Sequence, residues 1–499
     1  MTSESTVLGT GTGTGPGDRE HGSATGPAVP GPVPGAPPPR WRFPHPRRRD
    51  ALPIVLLMAI VMLSGVLLMR HNMTFSRTDE LEHFDYVTSL VDRHMIPRKG
   101  DLYTQQAIRA QACYRYQITS APLPACDAPV LDPHDFGNSG VTSAGGYPPV
   151  YYTATTLVAV PLQALFGFNS LYVPARLASL LWLALGSVAT YLLVRSLRAG
   201  RWTACAVALV ATLGPYMMSQ GTTVNPDSLS LLAGSGTALA WLHWRGDPRL
   251  RAVLGLGFTL AVVALVKPNF MAVPVAVVTA ELALTLESGR RGLLRRRTWS
   301  LGAPFGRVLM SGALGAGLGA LWMLAFMVLD RPGLTVNPAT EKMGARPWST
   351  DLALRWTPGS YSPLGGDPFF VHVLDHGILI WFMSLVNLLV VAGAVGAALL
   401  SRRRQVTAWQ VGSAGAAAVE PGRAVGYLAA ASLLWAAPMM YAIMAAGHRF
   451  IPYPNRYSLF IVPLGLAALA GFAGRARLRW FLPLAGVAVL SYWWYLGVR

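Results

Sequence analysis

Asp79, Glu80, Glu82, His83 and Asp85 place four carboxylates and an imidazole within seven positions of a chain that holds only 23 acids in 499 residues. Groups of this kind can take a proton from a hydroxyl or hold a divalent cation. Read as a helix, Asp79, Glu82, His83 and Tyr86 share one polar face, while Phe84, Val87 and Val91 form an apolar one. The expectation is an amphipathic acidic helix lying at a membrane surface. Ser76 and Asp79 also have the spacing of a capping box, and acids are favoured in a helix's first turn. That does not compete with chemistry, because a helix N-terminus keeps Asp79 ionised and so able to act as a base or ligand. Glu82, His83 and Asp85 read first as a solvated face, with His83 also a candidate substrate contact.

Further candidates lie far along the chain. Asp227 follows Asn225-Pro226 at the start of an apolar run, where Asn225 reads as the N-cap. An acid at that depth is a functional candidate by default. Lys267 ends another run, and it is one of only three lysines among 41 basic residues. An ammonium in that position calls for a partner. His448, Arg449 and Arg456 are the other cations at the same expected boundary; their alternative is snorkelling at span ends. Tyr147-Pro148-Pro149 forces an extended entry into the following run, and Tyr147 is a candidate substrate contact.

The elements that must position these residues are membrane spans. The chain is 52% hydrophobic and 13% charged, with a mean hydropathy of +0.39, which is the composition of a polytopic membrane protein. A net charge of +18 would suit nucleic acid, but the arginines cluster in the N-terminal tail and in short connections between apolar runs. That is the positive-inside pattern, and nucleic acid is excluded as a partner. Twelve apolar runs are visible, and charge parity requires one of them not to cross. The run 150–167 is short and interrupted by Pro161, so it is expected to be interfacial or re-entrant, which leaves about eleven spans.

The expected organisation is a disordered cytoplasmic tail over 1–50, a first span over 51–69 and an outer loop with the acidic motif over 70–150. A transmembrane core over 151–329, a second outer loop over 330–376 and C-terminal helices over 377–499 follow. Fifteen of the 23 acids then fall outside, with the candidate site on the extracytoplasmic side of the plasma membrane. Cys113 and Cys126 share the first outer loop and can pair in an oxidising compartment, whereas Cys205 reads as inert packing.

No Walker A motif or Rossmann glycine fingerprint is present, so an enzyme working outside needs a donor carried by the membrane. Here the sequence resembles the GT-C glycosyltransferases of the protein-mannosyltransferase and aminoarabinose-transferase type. The resemblance is carried by Asp79-Glu80 with His83-Phe84 after the first span, Tyr147-Pro148-Pro149-Val150-Tyr151-Tyr152, Asn225-Pro226-Asp227, Lys267-Pro268-Asn269 and Asn455-Arg456-Tyr457. It implies an all-α GT-C-like membrane fold and transfer of one sugar, hexose or pentose, from a polyprenyl-phosphate donor to an extracytoplasmic acceptor, with inversion. It also implies Asp79 as base, Glu80 and Asp227 as support, and Lys267, Arg456, Arg449 and His448 around the donor phosphate. His83, Tyr147 and Asn225 would contact substrate. Some relatives use a divalent cation, for which Asp79, Glu80 and Asp227 are the candidate ligands. Two rivals stand beside this reading: a transporter or flippase of a lipid-linked glycan, and a non-catalytic cell-envelope assembly protein. The transporter calls for inverted repeats and discontinuous helices, and neither is visible in the sequence.

Overall fold

In the computed structural model, the described residues are 48–76, 79–115, 123–136, 140–247, 249–289, 304–329, 346–351, 353, 377–400, 421–446, 449–450 and 455–498. Residues 1–47 of the expected tail, His448 and nearly all of the expected second outer loop lie outside them. Among the described residues the regular elements are helices apart from one isolated bridge, Leu102–Val141, and one antiparallel pair of two-residue strands, β1 (Arg346–Pro347) and β2 (Arg449–Phe450). The all-α membrane architecture expected from composition is borne out.

Helix α1 (Ala51–His71) has no charged residue before Arg70, and 21 residues at 1.5 Å each reach about 30 Å, one hydrocarbon thickness. Helices α2 (Glu80–Asp92) and α3 (Gln105–Tyr114) follow, then α4 (Val150–Phe166), α5 (Tyr172–Ser196), α6 (Arg201–Thr212) and α7 (Pro215–Gly221). The chain continues through α8 (Ser230–Gly246), α9 (Leu250–Ala264), α10 (Ala272–Gly289) and α11 (Pro304–Leu329). It closes with α12 (Gly377–Leu400), α13 (Pro421–Ala446), α14 (Val462–Arg477) and α15 (Phe481–Val498). Among the described residues five helices are long and apolar enough to cross a membrane, or six if α6 and α7 form one span. Helix α4, with Pro161 inside it, is among the shorter apolar helices.

Contacts fix the helix directions. Arg176 near the start of α5 bonds Asn72 O at the end of α1, while Arg195 near its end meets Asp50 just before α1, so the two are antiparallel. Gly186 and Thr190 of α5 meet Leu231 and Ser235 of α8 in the same order, as Asp227 and Trp241 meet Lys267 and Glu281, so α5, α8 and α10 run in parallel. Ion pairs then gather at one end of the bundle: Asp50 with Arg195 and Tyr191, Glu281 with Arg245, and Glu287 with Arg423 and Tyr427. The opposite end carries α2, the starts of α5 and α8, and Lys267. Small residues let backbones touch: Gly393 of α12 lies against the Gly465 carbonyl of α14 with no room for a Cβ.

One expectation fails here. The sequence offers no sign of a discontinuous helix, yet α6 and α7 are bent by 77° at Leu213-Gly214. Pro215 supplies the cause: it holds Gly214 extended (φ −58°, ψ 132°) and removes a backbone donor at the first position of α7.

Candidate active site

Glu80 is fully buried, and five donors meet its carboxylate. Arg176 supplies Nε to Oε1 at 2.6 Å and Nη2 to Oε2 at 2.7 Å. Tyr172 donates its hydroxyl at 3.4 Å, and the backbone N–H groups of Ser76 and Val224 donate at 2.6 and 3.0 Å. The same guanidinium holds Asn72 O and Thr74 O at 2.6 and 2.8 Å and lies over the Tyr172 ring. Glu80 therefore ties the end of α1, the start of α5 and the 222–225 segment to the first turn of α2. Arg176 was not among the sequence candidates, although an arginine inside an apolar run is itself a signal.

This arrangement corrects the expected capping box. Asp79, not Ser76, is the N-cap, and its side chain makes no capping bond. The bond runs instead from Ser76 N to Glu80. Asp79 sits half-buried with φ 57°, in the left-handed region. A non-glycine residue there costs on the order of 1 kcal/mol. The fixed Glu80 beside it and the His83 N–H on the Asp79 carbonyl at 3.1 Å impose the conformation.

Asp227 and Lys267 form a second buried unit, 0% and 2% exposed at the side chain. The ammonium donates to both carboxylate oxygens at 2.8 Å. Each segment is built the same way. Asn225 and Lys267 precede prolines, are held extended (φ −152° and −156°), and open the 3-10 turns Pro226–Leu229 and Pro268–Met271. Asn225 caps as expected, its Oδ1 accepting from Asp227 N at 3.0 Å. A lysine at a helix start opposes the dipole, and the Asp227 carboxylate compensates it. Lys267 Nζ also lies 4.6 Å from the centre of the Tyr457 ring and 6.0 Å from that of Tyr147.

Tyr147 links this pair to α2. His83 meets the Tyr147 ring edge-on at 5.2 Å, and its Nδ1 shares a 2.8 Å hydrogen bond with Tyr152 OH. Tyr86 stacks on Tyr152 at 3.7 Å and donates its hydroxyl to Tyr147 O at 3.2 Å. The structure thus brings His83, Tyr147, Asn225, Asp227 and Lys267 together, with Glu80 joined through Val224.

A solvated face over Glu82, His83 and Asp85 is not what the structure has. They are 6%, 1% and 0% exposed, because the start of α4 and the Thr104 segment cover the face that amphipathicity would give to water. Burial pushes the Asp85 carboxyl up to about 6, against the Thr104 N–H bonded to it at 2.7 Å and the Arg93 charge. A raised acid binds its proton more tightly folded than unfolded, so stability should fall as pH rises from about 4 to 6 and stay level above. Asp85→Asn keeps an acceptor for Thr104 and cannot ionise. It should abolish that slope and raise stability at neutral pH by about 3 kcal/mol, read as melting temperature against pH in detergent.

Of the remaining candidates, Arg449 lies in β2 and Arg456 in the 3-10 turn Asn455–Ile461, but their side chains, like all of His448, lie outside the described residues. The neighbouring Tyr457 brings that turn to Lys267, and Asn269 Nδ2 bonds Tyr457 O at 2.9 Å. The expected cation ligands do not fit a metal. Glu80 is spent on Arg176 and Asp227 on Lys267, and no group of three or more metal-binding side chains converges among the described residues. A disulfide joins Cys113 in the last turn of α3 to Cys126 in the segment after it, and Cys205 is buried.

Residues 148–314 match the family model described as dolichyl-phosphate-mannose-protein mannosyltransferase. That stretch contains Asp227 and Lys267 and bears out the resemblance to the GT-C glycosyltransferases. No curated protein matches the chain. Among solved structures, it is similar to ArnT from Cupriavidus metallidurans bound to undecaprenyl phosphate, with 15% identity and a TM-score of 0.43. That match covers 85% of this chain and 59% of ArnT, so the chain spans about three fifths of that protein's length.

Proposed function

From a chain whose residues 148–314 match the dolichyl-phosphate-mannose-protein mannosyltransferase model, we propose a membrane glycosyltransferase that moves a hexose or pentose from a polyprenyl-phosphate donor to an extracytoplasmic acceptor. The observation that carries it is the joining of four distant segments, at Glu80, Tyr147, Asp227 and Lys267, at one end of a helical bundle. A buried cluster of that kind beside the bilayer suits a substrate with one end in lipid. The Cys113–Cys126 disulfide supports an oxidising, extracytoplasmic side for it.

In this reading Asp79 removes the proton of the acceptor hydroxyl as that oxygen attacks the anomeric carbon. The polyprenyl phosphate then leaves with the bonding electron pair, giving inversion. Glu80 positions Asp79 by fixing the turn that carries it. The Asp227–Lys267 pair stands at the donor, where the lysine's charge is already compensated. Arg456 and Arg449, on segments meeting the same end, with His448, supply the charge that steadies the leaving phosphate.

The α6–α7 break favours transport as a second reading, since discontinuous helices are a feature of transporters. One experiment separates the two. Purified protein in vesicles is given radiolabelled undecaprenyl-phosphate mannose, glucose or arabinose with cell-envelope acceptor. Label should leave the lipid and appear in a water-soluble or polymeric product. Label that only changes leaflet, still on its lipid, would establish transport instead.

A further inference from the structure

Five buried side chains near the Asp227–Lys267 pair leave polar atoms without a hydrogen-bond partner: both amide atoms of Gln220, Asn225 Nδ2, Ser228 Oγ, Ser230 Oγ and Asn269 Oδ1. Four of the residues are 0% exposed and Asn269 is 2%. Buried groups of this kind are costly and uncommon, and each calls for an explanation. These five are tied to one place. Asn225 caps the turn that carries Asp227 and Ser228, and Ser230 opens the helix continuing from it. Helix α7, which ends at Gln220 and Gly221, packs against that turn. On the other side Asn269 lies two residues from Lys267 and holds Tyr457 O, whose ring covers the ammonium.

The chemistry of the set selects its ligand. Gln220 Nε2 and Asn225 Nδ2 are donors, Gln220 Oε1 and Asn269 Oδ1 are acceptors, and two serine hydroxyls serve as either. The ion pair among them carries no net charge. Phosphate would meet acceptors that repel it, and a lipid tail would leave every polar atom unmade. A neutral ring bearing several hydroxyls satisfies both kinds of group, and the faces of Tyr147 and Tyr457 can pack its C–H edges. Resting on the glycosyltransferase reading, we propose that Gln220, Asn225, Ser228, Ser230 and Asn269 form the subsite for the donor's sugar ring around the Asp227–Lys267 pair.

Gln220 and Ser228 give the cleanest test, because the unpartnered side-chain atoms they would lose hold nothing in the free protein. Full-length wild type, Gln220→Leu and Ser228→Ala are purified in detergent. Binding is measured to undecaprenyl phosphate and to the same lipid phosphate carrying mannose, glucose or arabinose. Wild type should bind at least one sugar-bearing lipid more tightly than the bare one. Each variant should lose about tenfold for that lipid and nothing for the bare lipid. Ligand-free Gln220→Leu should melt at or above the wild-type temperature, since an isosteric apolar group replaces an unsatisfied one, whereas a structural glutamine would lower it. Unchanged sugar-lipid binding in both variants, equal losses for both lipids, or a lowered melting temperature would overturn the subsite. Wild type that binds bare and sugar-bearing lipids equally removes the subsite alone. Wild type that binds none of them removes the glycosyltransferase reading as well.

Discussion

Asp79→Asn should lower sugar transfer by about 10²–10⁴-fold, the range that one positioned general base contributes, while protein level in the membrane stays at wild type. The substitution preserves shape and removes the basic oxygen. It also suits the backbone, because asparagine tolerates the left-handed conformation at φ 57° as well as aspartate does. The Asp79 side chain makes no capping bond, so no cap is lost with it. Transfer would be followed in membranes supplied with a polyprenyl-phosphate sugar, with immunoblotting for protein level. Persistence of transfer near the wild-type rate would remove Asp79 from the role of base.

Glu80→Gln should act in the opposite way, on the fold before the chemistry. It leaves the Arg176 guanidinium buried without its carboxylate, and breaking a buried pair on one side costs roughly 3–5 kcal/mol. Two backbone N–H groups, of Ser76 and Val224, would compete for the single remaining amide oxygen. The melting temperature in detergent should drop by several degrees, and transfer should fall with it because the turn carrying Asp79 loosens. Glu80→Gln combined with Arg176→Met removes both charges and should be less destabilised than the two single changes summed, a coupling that a double-mutant cycle reads directly. A Glu80→Gln protein melting within a degree of wild type would mean that the carboxylate holds nothing together.

These two neighbouring acids show where sequence reasoning reached and where it stopped. The Asp79-Glu80 pair, Asn225-Pro226-Asp227, Lys267 and Tyr147 are legible because chemistry-bearing types stand at the ends of apolar runs, where water-exposed neighbours are scarce. The call for a partner to Lys267 was also legible, from the cost of an isolated ammonium. Its identity was not: Asp227 lies 40 residues away and Arg176 lies 96 residues from Glu80, and no local pattern encodes such meetings. The solvated face on α2 failed for a related reason. Amphipathic periodicity separates polar from apolar positions but does not say that water covers the polar side, and here Tyr152 and Thr104 do. The α6–α7 break was written in Gly214-Pro215, yet a proline near the end of an apolar run is common enough to pass as a mere helix boundary.

The Glu80–Arg176 bond also bears on how the chain is made. Glu80 leaves the ribosome 96 residues ahead of Arg176, so the segment after α1 lacks its counter-charge through the synthesis of α3 and α4. Arg176, within the first turns of α5, is in turn costly to place in lipid alone. The acid already waiting outside the first span is the group that offsets this cost once α5 is inserted. The bond that closes this end of the bundle can therefore form only after α5 has been made, which leaves α2 to be locked by a later span than the one it follows.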